Sequence, residues 1–199
     1  MLVIDIETGG FVGTEVFLIG VVLPDVRPLR VIQWLARDYT EEAALLHALA
    51  EVAQRRDIWV SFNGKSFDEP FLRDRALIHR VPLPRPRLHV DLLHLARRRF
   101  RGRLPDCRLQ TLEQHLLSWQ RVGDVPGVEI PGLFHLFVRT RNPAPIIPVV
   151  EHNQLDLVSS TELLSRLMPQ IIAPATHCCG PDWNRSKAVP GDRKRESHA

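Results

Sequence analysis

Asp5 and Glu7 stand two positions apart at the end of the chain's first apolar run, Val3-Ile4-Asp5-Ile6-Glu7-Thr8-Gly9. Residues two apart in a strand project from the same face, so the two carboxylates are presented together. Carboxylate oxygens are ligands for hard cations such as magnesium, calcium or manganese, and magnesium keeps several waters and takes further ligands from substrate phosphates. The fragment also works as a plain strand end, because Thr8-Gly9-Gly10 is turn-forming. Further acids separate these uses. Asp68 opens a predicted helix after Ser61-Phe62-Asn63-Gly64-Lys65-Ser66-Phe67, and Glu151-His152-Asn153-Gln154-Leu155-Asp156 lies on another. On that second helix a spacing of four returns His152 and Asp156 to nearly one face. Imidazole, with an unperturbed pKa of about 6.5, suits general-base work at neutral pH.

Taken in order, Asp5 with Glu7, then Asp68, then His152 with Asp156 resemble the three exonuclease motifs of the DEDD superfamily on a ribonuclease-H-like fold. Arg108-Leu109-Gln110-Thr111-Leu112-Glu113, Asp124-Val125-Pro126-Gly127, Ile130-Pro131, Arg139-Thr140 and His152-Asn153 follow in an order similar to that of its YprB-type branch. The resemblance runs from about Leu2 to Leu167, most of the chain. It implies a metal-dependent 3′-to-5′ exonuclease that hydrolyses phosphodiester bonds of DNA or RNA, starting at a single-stranded 3′ end and using two Mg2+ or Mn2+ ions. Asp5, Glu7 and Asp156 are then the expected direct ligands, Asp68 completes the set by resemblance, and His152 is the base candidate. In the superfamily the base is a histidine five positions before the last aspartate or a tyrosine four before it. Here His152 combines the histidine identity with the tyrosine spacing, so the subclass stays open.

Four converging carboxylates repel one another and raise one another's pKa values unless cations are present, which makes physical sense of the set as a metal site. Two such ions about 4 Å apart can activate water on one side of a phosphodiester and stabilise the leaving oxygen on the other. A catalytically inactive nucleic-acid-binding module and a ribonuclease-H-like endonuclease are the alternatives. A module that only binds has no use for four like charges at one spot.

Asn63 and Lys65, on the loop before Asp68, are candidate substrate contacts, while Phe62 and Phe67 are expected in the core although either can stack a base. Asp91 is expected to cap a helix and not to serve as a fifth ligand. Ser66 has capping-box spacing to Glu69 and no evident His-Asp partners for a nucleophile's role. Arg97, Arg98, Arg99 and Arg101 form a dense basic run, continued by Arg103 and Arg108. A phosphate backbone would pair such a run, and the negative end of a helix dipole also suits it.

The 199 residues, 44% hydrophobic and 25% charged, fit one globular domain. A net charge of +3 leans only mildly toward an anionic partner. Three cysteines, Cys107, Cys178 and Cys179, form no disulfide framework, and His177-Cys178-Cys179 lacks the second ligand pair of a zinc site. No apolar run reaches membrane-spanning length and no signal segment opens the chain, so a soluble cytoplasmic protein is expected.

The elements that must position the acids read as an α/β domain. Strands are predicted at Leu2 to Asp5, Val16 to Leu23 and Arg30 to Leu35, as antiparallel neighbours. A helix capped by Thr40 follows, with Leu45, Leu49 and Val52 on its buried stripe, then a strand from Ile58 to Phe62, giving a parallel crossover. His89 to Asp91 supplies a fifth short strand. Helices are predicted before and after Asp124-Val125-Pro126-Gly127, the second with Pro131 in its first turn, and a last one from Val149 to about Met168, with Leu155, Val158, Leu163 and Leu167 as its apolar positions. The result is a ribonuclease-H-like fold, a mixed five-stranded sheet of three antiparallel strands then parallel ones, flanked by helices, over residues 1–169. Residues 170–199, rich in proline and basic side chains and poor in aliphatics, are expected to be a disordered basic tail.

Overall fold

A computed structural model describes residues 1–24 and 28–168; the expected tail, with Cys178 and Cys179, lies outside the described residues. Five strands form one sheet in the order β3-β2-β1-β4-β5. They are β1 (Leu2–Thr8), β2 (Val16–Leu23), β3 (Arg30–Leu35), β4 (Ile58–Ser61) and β5 (Leu88–Asp91). β1 to β3 pair antiparallel, and β4 then β5 add in parallel beyond β1. This is the expected mixed sheet. The central strand β1 outruns its predicted end at Asp5 and carries Glu7 inside the ladder, opposite Leu18.

Alternation along β1 separates two cores. Leu2, Ile4 and Ile6 join a cluster under α1 (Glu42–Ala53), α2 (Asp68–Ile78) and α5 (Ile130–Thr140), where Phe17 stacks on Phe134 with centroids 4.0 Å apart. Val3 joins the other, with Val22, Val60 and residues of α3 (Leu92–Phe100), α4 (Leu109–Leu112) and α6 (Ile147–Leu167). Asp5 and Glu7 share the parity of Val3, so both carboxylates belong to the α6 face. α6 comes so close to β2 that a Cβ on Gly20 would lie 2.1 Å from Asn153 Oδ1 and 2.6 Å from a methyl of Leu157. That approach explains the one glycine in an otherwise apolar, fully buried strand.

Several local expectations are corrected. Thr40 bonds Asp38 instead of capping α1, whose N-cap is Glu41 with no side-chain cap bond. Val52 is only half-buried, and Leu46 takes its place in the stripe. The Ser66 and Glu69 capping box does not form: Phe67 is the N-cap of α2 and Glu69 pairs with Arg73. β4 stops at Ser61, one residue short of Phe62. The helix from Leu109 is α for one turn and then widens into a π-helical segment, Glu113–Leu117, ending at Ser118 in the left-handed region. On α6 the buried stripe runs through Val149, Asn153, Leu157, Leu163, Leu164 and Leu167, with Val158 exposed and Leu155 half-buried.

Candidate active site

The C-terminal ends of the three parallel strands β1, β4 and β5 lie along one edge of the sheet, and every acidic candidate gathers there. β1 delivers Asp5 and Glu7, the loop after β4 leads into Asp68 at the first position of α2, and α6 brings His152 and Asp156 over the edge. The loop itself is shaped by Asp91, whose carboxylate accepts from the backbone N–H of Asn63 at 3.0 Å, of Lys65 at 3.1 Å and of Leu93 at 3.0 Å. Asp91 therefore caps α3 and pins the loop at once. Asn63 takes a positive φ of 63°, which an asparagine tolerates better than most residues, and Asn63 and Lys65 both point into solvent. A Cβ on Gly64 would fall 2.2 Å from Ser61 Oγ and 3.0 Å from Asp68 Oδ2, so that glycine makes room for the acid.

The electrostatics of the cluster are those of like charges held together. Asp5 is pushed well above the ordinary carboxylate range by burial and then by Asp156, Glu7 and Asp68. Glu7 is raised by burial, Asp156, Asp68 and Asp124. Asp68, 5% exposed, rises to about 7, chiefly through burial, despite accepting bonds from backbone N–H groups, including that of Ile6. Asp156 is raised by burial, which outweighs the opposing pull of Arg121 and His152. Four carboxylates from three elements thus share one low-dielectric spot.

Two residues at this site were not singled out as functional in the sequence. Arg121 is 4% exposed and links Glu113 at 2.5 Å, Asp124 at 3.0 Å and Asp156 Oδ1 at 2.5 Å. The last contact is close but not aligned as a hydrogen bond, and leaves Asp156 Oδ1 a buried oxygen without one. Asp124 also lies 2.7 Å from His152 Nδ1, while His152 Nε2 faces Asp156 Oδ2 at 3.8 Å. Asp124 is held below its usual carboxylate pKa by His152 and Arg121 against the effect of burial. The spacing Arg121-x-x-Asp124 was the available signal, but only the π-helical turn before it folds Arg121 back onto Glu113. An open cleft of about 420 Å3 lined by Gln110, Glu113, Arg121 and Asp124 adjoins this side.

The other candidates fall elsewhere. Phe67 is 43% exposed beside the site, against the core expectation, and Phe62 is half-buried on the α6-side core. Ser61 Oγ lies 2.8 Å from His89 Nε2, but Glu69 stands 4.0 Å from His89 Nδ1, too far for a hydrogen bond, and Ser61 has no exposure, so the three do not make a hydrolase triad. Arg97, Arg98, Arg99 and Arg101 are exposed at the far end of α3. At about 1.5 Å per residue they stand roughly 9 to 15 Å along the axis from Asp91. Arg97 and Arg101 line a second hollow of about 390 Å3 with Cys107.

By donor chemistry the four carboxylates suit a hard divalent cation. Among the described residues, no group of three or more His, Cys, Asp or Glu side chains is close enough together to hold an ion as it stands. No helix among them is long and apolar enough to cross a membrane.

Sheet order, helix placement and the acidic edge define a ribonuclease-H-like protein. Residues 2–168 match the RNase_H_2 family of the RNase_H superfamily, and the chain belongs to that superfamily, whose members are generally nucleases that use divalent metals. The chain is 31% identical over 182 residues to "Uncharacterized protein YprB" of Bacillus subtilis (strain 168), covering 87% of itself and 44% of that protein's length. It is also similar in fold to the family B DNA polymerase of the hyperthermophilic archaeon Pyrobaculum calidifontis, with a TM-score of 0.63 at 18% identity, over 84% of this chain and 24% of the polymerase.

Proposed function

We propose that this domain is a divalent-cation-dependent 3′-to-5′ exonuclease acting on the single-stranded end of DNA or RNA. The observation that carries the reading is the convergence of Asp5, Glu7, Asp68 and Asp156 with their carboxyl pKa values raised, an arrangement unfavourable by itself and relieved by cations. Two Mg2+ or Mn2+ ions held by these four residues would supply the Lewis acidity that activates water and neutralises the leaving oxygen. His152 takes the proton from the attacking water at Nε2. Its partner Asp124, 2.7 Å from Nδ1, fixes the tautomer that leaves Nε2 free to accept. Arg121 offsets part of the negative charge and keeps Asp124 and Asp156 in place. Asn63 and Lys65 meet the terminal nucleotides at the rim. The arginines Arg97, Arg98, Arg99 and Arg101 hold phosphates of the strand further from the scissile bond, by charge and without base readout.

The test is cleavage of 5′-labelled single-stranded and duplex DNA and RNA in magnesium or manganese, with Asp5→Asn and a chelator as controls. A ladder shrinking by one nucleotide from the 3′ end, absent in both controls, supports the exonuclease and names its substrate. Internal fragments favour an endonuclease, and binding without cleavage in every metal favours an inactive module.

A further inference from the structure

Three residues form one row across the sheet: Asp5 on β1 is registered opposite Gly20 on β2, which is registered opposite Gln33 on β3. Neighbouring strands are about 4.8 Å apart, so Asp5 and Gln33 are separated by roughly 10 Å with a residue lacking a side chain between them. That notch is filled from above by Asn153 of α6, which has no exposure at all. Its Nδ2 donates to Asp5 Oδ2 at 2.7 Å, and its Oδ1 accepts from Gln33 Nε2 at 2.8 Å. Gln33 Nε2 donates as well to the backbone carbonyl of Val150 at 2.9 Å. A carbonyl only accepts, so Val150 fixes which end of the Gln33 amide is nitrogen. Gln33 in turn fixes Asn153 with its oxygen toward β3 and its N–H toward Asp5.

We infer that Asn153, aimed by Gln33 and admitted by Gly20, is a positioning residue that commits Oδ2 of Asp5 to the protein and leaves Oδ1 for a cation. The inference rests on the metal reading above. A polar side chain in the middle of an apolar helical stripe needs such a reason, because leucine or valine there would fill the notch without requiring partners. The bond also opposes the raised pKa of Asp5, keeping that oxygen an acceptor. Groups that orient a metal ligand from outside the coordination sphere change metal affinity by roughly 10–100-fold when altered.

The discriminating variant is Gln33→Glu. It keeps size and shape at a half-buried position away from Asp5, but a carboxylate cannot donate to Asn153 Oδ1 and instead draws the amide's N–H groups toward itself. The amide then turns its oxygen toward Asp5. Mn2+ affinity measured by calorimetry should fall about 10–100-fold in Gln33→Glu and in Asn153→Ala. Thermal unfolding identifies any variant that has lost its fold. In the metal-free protein, the side-chain amide resonances of Asn153 should shift in Gln33→Glu. Equal Mn2+ affinity in folded Gln33→Glu and unmodified protein, or unmoved Asn153 resonances, overturns the relay alone. An unmodified protein that binds no Mn2+ overturns the metal reading itself, and the cation's part in the inference with it.

Discussion

Glu42 and Asp68 are nearly equal in burial, at 1% and 5% exposed, and each opens a helix beside the sheet. Their surroundings are opposite. Glu42 is met by Arg75, by His79 at 2.8 Å and by the backbone N–H of Val16 at 2.8 Å, and these contacts bring its pKa below the ordinary value although burial works the other way. Asp68 is surrounded by burial, Asp91 and Asp156, and its pKa rises to about 7. One carboxylate ties α1 to α2 and β2; the other is kept among its own kind. The difference separates a buried acid used for cohesion from buried acids held against one another's charge.

The comparison is broken most sharply by removing charge from the acidic cluster. Asp5→Asn or Asp156→Asn should lower cleavage by about 10³-fold or more, the scale on which loss of a charge-stabilising group acts, while oligonucleotide binding by fluorescence anisotropy persists. Undiminished cleavage by a folded variant would refute the site. The cohesive side should respond in stability and not in chemistry. Glu42→Ala leaves Arg75 without its buried partner and should cost about 3–5 kcal/mol, read as a fall in thermal midpoint of roughly 6–20 °C, with the remaining folded protein cleaving at the unmodified rate. A change in turnover of the folded fraction would mean that the two regions are coupled.

His152→Ala tests the proposed proton acceptor. Cleavage should slow about 10²-fold while Mn2+ affinity changes little, because His152 lies against Asp124 and is not among the proposed ligands. Comparable losses in both measurements would move His152 from base to structural support.

The two regions also differ in how far the sequence announced them. Asp5 with Glu7 and His152 with Asp156 could be placed because their spacing matches the period of one strand and one helix, and Asp68 because it opens a helix after an apolar run. The mixed sheet of three antiparallel strands and then parallel ones followed in the same way, from the short turns and the strand-helix-strand succession. What could not be read locally were contacts set by register and by the line on which α6 crosses the sheet. Gln33, Gly20 and Asn153 are joined across sequence separations of more than a hundred residues, and their only trace was a glycine in a buried strand and an asparagine in an apolar stripe. Arg121 required a π-helical turn that propensity does not foretell. The missed caps have a different cause, competition from nearer neighbours, because Glu69 pairs with Arg73 four residues on and Thr40 bonds Asp38 two residues back.

The smallest expected effect separates the regions by sign. A carboxyl whose folded pKa is raised, as for Asp68, favours folding while protonated, so its contribution is present below the unfolded value of about 4 and is lost as pH rises through about 7. Glu42, with its pKa lowered, contributes above its unfolded value near 4.5 and loses that contribution as pH falls through its depressed one. In chelator, the thermal midpoint should therefore peak on the acid side, near pH 5, and decline toward pH 7, whereas added Mn2+ should remove the decline by neutralising the cluster. Asp68→Asn should flatten the same limb and raise metal-free stability at pH 7 by about 1–2 kcal/mol, with loss of cleavage expected from the ligand role proposed for Asp68. A midpoint in chelator that climbs from pH 5 to 7, or an Asp68→Asn protein less stable than the unmodified one at pH 7, would show that the cluster is as well compensated as Glu42 and that its acids are not held against their own repulsion.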